Sequence, residues 1–310
     1  MISFIPALLA ANIFSLTPPT GSTFHLRDCF ISRPKDRGVT SIGSGCQGIL
    51  VDRCQFLSSE DSLNVPDRNS VAINVNANDA KLRNNRATRF KHFALLGGAN
   101  SVVIGNHFFQ GDGLSAGVRT AGLIFANNFT SSTITGNYID NCYIEWTNER
   151  DASPNFNTGF SFSAMSITDN IMLCGDVAPW FSFIVVKPHG TGHFLNGVTI
   201  TGNKFRSING SIDRAERVDT SYADLDFGRT KHLAFEANTY HSIGKQAFNP
   251  LRLRHEEATP SATWVIGVDD EMPFGGRVRS VGKRLHVEHL VVAVGQPKLP
   301  VVGLAQRAVD

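Results

Sequence analysis

A six-residue pattern recurs along this chain: an apolar residue, two variable residues, asparagine or cysteine, one variable residue and a second apolar residue. Its clearest copies lie at residues 134–139, 167–172 and 200–205, which read ITGNYI, ITDNIM and ITGNKF. Successive fourth positions are 25, 31, 21, 31, 33, 33 and 35 residues apart. The chain is therefore built from repeats. In chain order, the fourth position is occupied by Cys29, Cys54, Asn85, Asn106, Asn137, Asn170, Asn203 and Asn238.

A repeat length in this range is typical of a solenoid, in which each unit contacts only its neighbours. The apolar residues flank short turns and do not follow a helical period, so the units are predicted to be strands. We therefore predict an all-β fold, a right-handed parallel β-helix whose equivalent residues stack about 4.8 Å apart. The apolar residues would point inward. The asparagine would lie at a bend in left-handed backbone geometry, with its amide hydrogen-bonded to the asparagines above and below.

The repeat divides the chain into three parts. Residues 21–258 are predicted to form the β-helix, and residues 259–310, where the repeat fades, a β-rich C-terminal cap or association segment. Residues 1–20 are apolar and would form either a partial rung or a docking segment. This start lacks the basic residues of a secretory signal, and its apolar run is short and interrupted by Pro6, which argues against a membrane span. A partner chain or self-association would cover the open end of the helix.

Composition narrows the classes of protein that fit. Apolar residues make up 42% of the chain, and phenylalanine outnumbers tyrosine by 22 to 4, which indicates aromatic rings packed inside a core. Charged residues make up 18% and the formal net charge is +2, so a nucleic-acid partner is not expected. Five cysteines without regular close spacing indicate neither a disulfide framework nor a zinc site. Cys29 and Cys54 could bridge adjacent rungs, although reduced stacking is favoured. We predict no metal and no cofactor.

Two stretches, residues 141–159 and 176–192, are too long and polar to be simple bends. Long insertions in a solenoid project from one side, and that side usually carries the function. Aromatic rings stack on sugar rings, and charged side chains bind their hydroxyls. Trp146 follows Asn137 by 9 residues and Trp180 follows Asn170 by 10, so the two are predicted to share one edge, unless each packs under its own loop. The candidate glycan-binding residues are Tyr143, Trp146, Trp180, Lys187 and His189.

Hydrolysis of a polysaccharide would require two carboxyl groups roughly 5 to 9.5 Å apart. Asp112 and Asp176 each lie six residues after their asparagine, and Glu145 lies eight after its own, so the three could form a row on one edge. Acidic residues scattered on a solenoid are more often solvated surface. A lyase would instead need a basic residue such as Lys187 or Arg150, often helped by calcium.

The chain resembles the pectate-lyase-like β-helix proteins encoded by phages and by gene transfer agents of alphaproteobacteria. The similarity is carried by residues 24–30 (FHLRDCF), 34–38 (PKDRG), 45–56 (GCQGILVDRCQF) and 134–142 (ITGNYIDNC). It extends over most of residues 21–270 and implies a pectin-lyase-like solenoid. Such relatives are typically trimeric spike or fibre subunits that recognise cell-surface polysaccharide. They carry a long N-terminal attachment region, whereas this chain starts almost at its first rung, as the distal subunit of a head spike would.

The resemblance implies a homotrimeric spike that acts on the surface of a virion or gene-transfer-agent particle. Its partners would be a spike base protein attached to the capsid and the capsular polysaccharide of a recipient cell, with no membrane partner. The signature elements of polygalacturonases do not occur here in order, which argues against hydrolysis. A depolymerising tailspike, either hydrolase or lyase, and a free-standing secreted polysaccharide enzyme are the alternatives.

Overall fold

The strands of this chain form three long parallel sheets, here called A, B and C. The computed structural model describes residues 2–4, 12–16, 23–41, 43, 46–58, 69–111, 119–175, 177, 179–254, 259, 266–268, 271–278 and 281. Sheet A contains β1 (Ile2–Phe4), β4 (Cys29–Ser32), β7 (Gln55–Leu57), β10 (Arg86–Thr88), β13 (His107–Phe109), β16 (Tyr138–Asp140), β19 (Ile171–Gly175), β22 (Lys204–Ile208) and β26 (Thr239–His241). Sheet B contains β2 (Asn12–Leu16), β5 (Arg37–Ser41), β8 (Val71–Val75), β11 (His92–Leu96), β14 (Ala121–Phe125), β17 (Tyr143–Thr147), β20 (Ile184–Lys187) and β24 (Glu216–Val218). Sheet C contains β3 (His25–Arg27), β6 (Leu50–Asp52), β9 (Lys81–Arg83), β12 (Val102–Ile104), β15 (Thr133–Thr135), β18 (Ser166–Thr168), β21 (Asn196–Thr201) and β25 (Lys231–Glu236).

Each turn of the chain adds one strand to sheet C, then one to sheet A, then one to sheet B. Every strand pairs in parallel with its equivalent in the next rung, and the repeats align in register, with Ile134 opposite Ile167 and Ile167 opposite Ile200. The predicted all-β, right-handed parallel β-helix is confirmed. Ahead of the first complete rung, β1 pairs with β4 and β2 pairs with β5. A short pair, β23 (Ile212–Arg214) and β27 (Ile243–Lys245), lies beside the last rungs.

The repeated hexapeptide forms the corner between sheets C and A. There the amide nitrogen Nδ2 of Asn137 donates to Oδ1 of Asn170 at 2.9 Å, and Asn170 donates in the same way to Asn203 at 2.9 Å. Each Oδ1 also accepts the backbone N–H of the preceding asparagine in the file. Each Nδ2 reaches a backbone carbonyl as well, for example Asn170 to Ile134 at 3.0 Å. One buried side chain per rung therefore satisfies polar groups that no water can reach.

The ladder continues in both directions. Asn85, Asn106 and Asn238 make the equivalent side-chain contacts, and the backbone N–H of Cys54 donates to Oδ1 of Asn85 at 2.9 Å. Cysteine cannot extend the amide file, and the thiol of Cys54 instead approaches the backbone oxygens of Asp52 and Leu26 at 3.4 and 3.6 Å. All five cysteines are buried and free.

The prediction that the asparagine itself adopts left-handed backbone geometry is wrong. The residue immediately before it does, as at Gly136 (φ 63°), Asp169 (φ 56°) and Gly202 (φ 70°). The turn is made at this third position, which leaves the asparagine free to direct both its N–H and its amide along the ladder. Glycine, asparagine and aspartate tolerate such a φ best, and they hold six of the eight third positions. The remaining members with positive φ are Asp28, Arg53, Asn84, Gly105 and Ala237.

The interior is filled by the apolar residues of the repeat and by phenylalanine rings. Phe93 and Phe108 are stacked with ring centroids 3.5 Å apart, and Phe183 and Phe205 are stacked at 5.6 Å. Burying such side chains contributes about 1.5 to 3 kcal/mol each to stability. The rod is therefore held by a continuous core inside and by the amide ladder at one corner.

At the C-terminal end, Phe274 closes the apolar interior. It lies in the 3-10 turn Pro273–Gly275 and meets the ring of Phe235 edge-on at 6.4 Å. The buried carboxylate of Glu216 accepts hydrogen bonds from Arg214 at 2.7 Å and from the backbone N–H of Phe274 at 3.2 Å. The predicted cap falls partly here, and the rest of residues 259–310 is described only at residues 259, 266–268, 271, 272, 276–278 and 281. In the described part of the chain, no helix has the length and apolar character needed to cross a membrane.

Candidate functional site

The outer face of sheet B carries the most unusual group of side chains. In β17, Ile144 and Trp146 point into the core and Glu145 points outward, while the half-buried Tyr143 packs against the core. The stretch from residue 141 therefore does not begin an insertion, contrary to the prediction. It contains a regular strand whose outward residues are polar, and the excursion starts only at Asn148.

Trp146 is not a surface residue, and its prediction as a glycan-binding side chain is wrong. Its exposed fraction is 3%, its indole N–H donates to the backbone oxygen of Asn127 at 2.8 Å, and Phe162 packs edge-on against it at 5.2 Å. Strand alternation turns it inward, because it is two residues from the core residue Ile144. Trp180 lies in the connection between sheets A and B of the next rung and is 50% exposed. The two tryptophans do not share an edge.

Glu145 lies on the floor of this face between apolar neighbours. Ile124 and Val185 are its partners in the adjacent strands, and its own exposed fraction is 9%. No described residue forms a hydrogen bond or a close ion pair with its carboxylate. Burial is the largest influence and raises the pKa of Glu145, and it outweighs the opposing charge of Lys187. Glu145 is therefore a carboxyl group that has no hydrogen-bond or ion-pair partner among the described residues and whose burial favours the protonated form.

Lys187, His189 and Tyr222 form the most exposed part of the same face. The rings of His189 and Tyr222 are stacked with centroids 4.0 Å apart, and Nζ of Lys187 lies 5.3 Å from the centre of the tyrosine ring. Tyr222 is 62% exposed. The side chain of Asn148 fixes the backbone of His189 by accepting its N–H at 2.8 Å and donating to its carbonyl at 2.9 Å. The aromatic pair is thus held on a positioned loop.

Arg217 and Asp219 complete the group. Arg217 lies opposite Val185 in the next strand, and its Nη2 is 3.9 Å from Oδ2 of Asp219. Burial opposes ionisation of Asp219, but hydrogen bonds from Ser221 and the charges of Arg217 and Lys187 outweigh it and lower its pKa. We call the whole group the sheet B cluster: Tyr143, Glu145, Lys187, His189, Arg217, Asp219 and Tyr222.

Two further features show that the cluster is not a closed structural network. Nε2 of His189 and Nε of Arg217 are buried and find no hydrogen-bond partner in the part of the chain that the structure describes. Tyr143 packs edge-on against Phe181 at 5.9 Å, and burial, followed by the charge of Glu145, raises its pKa. Buried polar groups are normally paired, so several unpaired ones in one place indicate a site with another purpose.

The structure brings together only some of the site residues predicted from the sequence. Tyr143, Lys187, His189 and Glu145 come together in the cluster, whereas Asp112 and Asp176 lie outside the described residues, so the predicted row of three acids stays a prediction. In the portion of the chain that the structure describes, no three His, Cys, Asp or Glu residues are grouped to hold a metal ion.

The sequence predictions missed Arg217, Asp219 and Tyr222. Two signals could have identified them. The interval between Asn203 and Asn238 is the longest in the series at 35 residues, and Tyr222 is one of only four tyrosines in the chain.

Comparison with known proteins adds little. No protein-family profile matches the chain, and no curated protein matches its sequence. Among solved structures, the chain is similar to endo-xylogalacturonan hydrolase from Aspergillus tubingensis, with 8% identity and a TM-score of 0.35 over 74% of this chain and 68% of that chain. At this level of similarity nothing about activity can be transferred to this chain.

Proposed function

We propose that this protein binds a polysaccharide along the outer face of sheet B, at the sheet B cluster. The observation that carries the proposal is the exposed ring of Tyr222, supported by His189 and Lys187, beside the unpartnered carboxyl of Glu145. An aromatic ring offers a flat apolar surface for the face of a sugar ring. Charged side chains around it can hydrogen-bond the sugar hydroxyls.

The solenoid favours a long ligand over a small one. The outward positions Glu145, Val185 and Arg217 are aligned across three rungs, with Val185 buried between the two charged side chains. Strands in neighbouring rungs are about 4.8 Å apart, so these positions form a linear row parallel to the axis. A polymer of similar units can meet several rungs at once, which raises its overall affinity above that of a single contact.

We also propose a biological setting for this binding, which rests on the sequence resemblance at residues 24–30, 34–38, 45–56 and 134–142. The chain would be a homotrimeric, capsid-linked spike of a phage-like particle and would adhere to the capsular polysaccharide of a recipient cell. Its test is particle adsorption. Particles that lack this chain should lose attachment to encapsulated cells and keep their normal attachment to cells stripped of capsule.

The binding proposal is tested with four purified polymers: hyaluronan, polysialic acid and polygalacturonate, which are anionic, and dextran, which is neutral. We expect the wild type to bind at least one when the polymers are immobilised and binding is followed by interferometry. Tyr222→Ala should weaken that binding at least tenfold. Phe160→Ala is the matched control, because Phe160 is 60% exposed and lies outside the cluster. Equal losses in both variants, or no binding of the wild type to any of the four, would contradict the proposal.

A further inference from the structure

We propose that the sheet B cluster also cleaves the polysaccharide it binds, with Glu145 donating a proton to the glycosidic oxygen and Asp219 activating the attacking water. This inference rests on the proposed binding function. It assigns an activity and two catalytic residues to the same face.

Glu145 has the surroundings of a general acid. It is flanked by Ile124 and Val185, its exposed fraction is 9%, and its carboxylate receives no hydrogen bond from the described residues. A carboxyl in apolar surroundings retains its proton more readily than one in water. A residue that only stabilised the fold would be expected to pair with the nearby Lys187, yet no such ion pair within 4.0 Å forms.

Asp219 has the opposite surroundings. Its Oδ1 accepts hydrogen bonds from the backbone N–H and the hydroxyl of Ser221, and Arg217 lies beside Oδ2 at 3.9 Å. These contacts favour the ionised form. The backbone N–H of Asp219 donates to Val186 at 2.8 Å, which fixes the residue at the end of its strand. Two neighbouring carboxyl groups whose environments drive their protonation apart are suited to serve as acid and base.

The strand register sets the distance between the two acids. Glu145, Val185 and Arg217 are directly opposite one another in three consecutive strands, and Asp219 lies two residues beyond Arg217. Two strand spacings and two residues place the two Cα atoms about 12 Å apart. Side chains that converge from this separation can reach the range of about 6.5 to 9.5 Å used by inverting glycosidases, which leaves room for a water molecule.

The reaction is a hydrolysis and needs water as its only co-reactant. The bond between the anomeric carbon and the glycosidic oxygen breaks, its electron pair leaves with that oxygen, and the proton of Glu145 completes the new hydroxyl group. The water oxygen bonds to the anomeric carbon and gives one proton to the carboxylate of Asp219. Solvent then returns the proton from Asp219 to Glu145. Each cycle consumes one water and creates one reducing end, with inverted configuration.

The test measures binding and cleavage in the same samples. Whichever of the four polymers binds the wild type best is incubated with the wild type, Glu145→Gln, Asp219→Asn and the control Glu236→Gln, and reducing ends are followed over time. We expect the first two variants to lower the rate at least 100-fold, in the range typical for loss of a general acid or base, and to weaken binding less than Tyr222→Ala does. Glu236 is an exposed residue of sheet C outside the cluster, so its variant should retain the wild-type rate within threefold.

The outcomes separate the two proposals. Wild-type binding without new reducing ends would overturn the cleavage and leave the binding function standing. Absence of wild-type binding to all four polymers would overturn both. Cleavage that survives in Glu145→Gln would overturn the assigned role, and an unsaturated product, detected by its ultraviolet absorbance, would replace hydrolysis by elimination. If a variant unfolds, the pH profile of the wild type decides, because the rate should fall on both sides of an optimum as Glu145 loses its proton and Asp219 gains one.

Discussion

The same rungs form the corner between sheets C and A and the outer face of sheet B, but the corner repeats one residue type and the outer face does not. At the corner, every rung from Asn85 to Asn238 supplies the same side chain making the same hydrogen bonds. On the outer face, each rung supplies a different residue at the equivalent position. In order along the axis these are Thr40, Asn74, Leu95, Ile124, Glu145, Val185 and Arg217.

The difference follows from what each region must contact. At the corner, each residue contacts the equivalent residues of the rungs above and below. One amide that can both donate and accept along the axis therefore meets the hydrogen-bonding needs of every rung. The outer face has no such requirement, and its residues vary without loss of the fold. In the sheet B cluster this variation leaves polar groups of His189 and Arg217 without partners. Repetition therefore marks the residues that hold the rod together, and departure from repetition marks the residues available for a ligand.

Breaking the ladder in its middle should have the largest effect. Asn170→Ala removes the acceptor of the backbone N–H and the side chain of Asn137, and it removes the donor to Ile134 and Asn203. Each buried polar group left unpaired costs about 1 to 3 kcal/mol, so we expect a loss of about 4 kcal/mol in the free energy of unfolding. Denaturant titration followed by circular dichroism measures it.

The control for that variant is Asn157→Ala, at an exposed asparagine in the excursion. Its effect should stay within about 0.5 kcal/mol. Similar losses in the two variants would show that the ladder is not what distinguishes the corner from the surface.

The ladder could be predicted from the sequence because its chemistry recurs at a nearly fixed interval and its apolar neighbours recur with it. The residue at which the backbone bends could not be predicted from the sequence. A hexapeptide with glycine or aspartate before the asparagine is compatible with a left-handed φ at either residue, and only the hydrogen bonds of Asn137 and its equivalents decide between them.

The candidate site was predicted only in part, for a related reason. The polar residues of this strand make the sequence of Tyr143 and Glu145 look like an insertion, and without the strand boundaries nothing in the sequence shows that alternation turns Trp146 inward. Arg217 and Tyr222 belong to later rungs, where no repeated neighbour relates them to Glu145. Residues that meet only through the stacking of rungs have no shared spacing in the sequence.

Substitutions at the third position of the repeat should lower the free energy of unfolding moderately, by an amount that depends on the residue introduced. Gly136 has φ 63°, and an added Cβ would meet nothing within 4 Å, so a substitution there reports backbone conformation alone. Gly136→Ala should lower the free energy of unfolding by about 1 kcal/mol, and Gly136→Asn by roughly half of that, because asparagine tolerates the left-handed region better than alanine. Denaturant titrations of the two variants give the order. The reverse order would mean that the ladder, and not the preceding residue, sets the bend.

The smallest expected effect comes from a substitution in the sheet B cluster and is a gain, not a loss, in the free energy of unfolding. Because burial raises the pKa of Glu145 in the folded state, folding favours its protonated form, and stability falls as the pH rises from the unfolded pKa through the folded one. Glu145→Gln removes this penalty, so the variant should gain about 0.5 kcal/mol or slightly more at pH 8 and less at pH 5. Thermal unfolding of both proteins at the two pH values measures the gain. Glu216, whose pKa burial also raises, contributes equally to both proteins and cancels in the difference. A variant less stable than the wild type at pH 8 would place Glu145 with the ladder residues, as a side chain retained for the fold and not for a ligand.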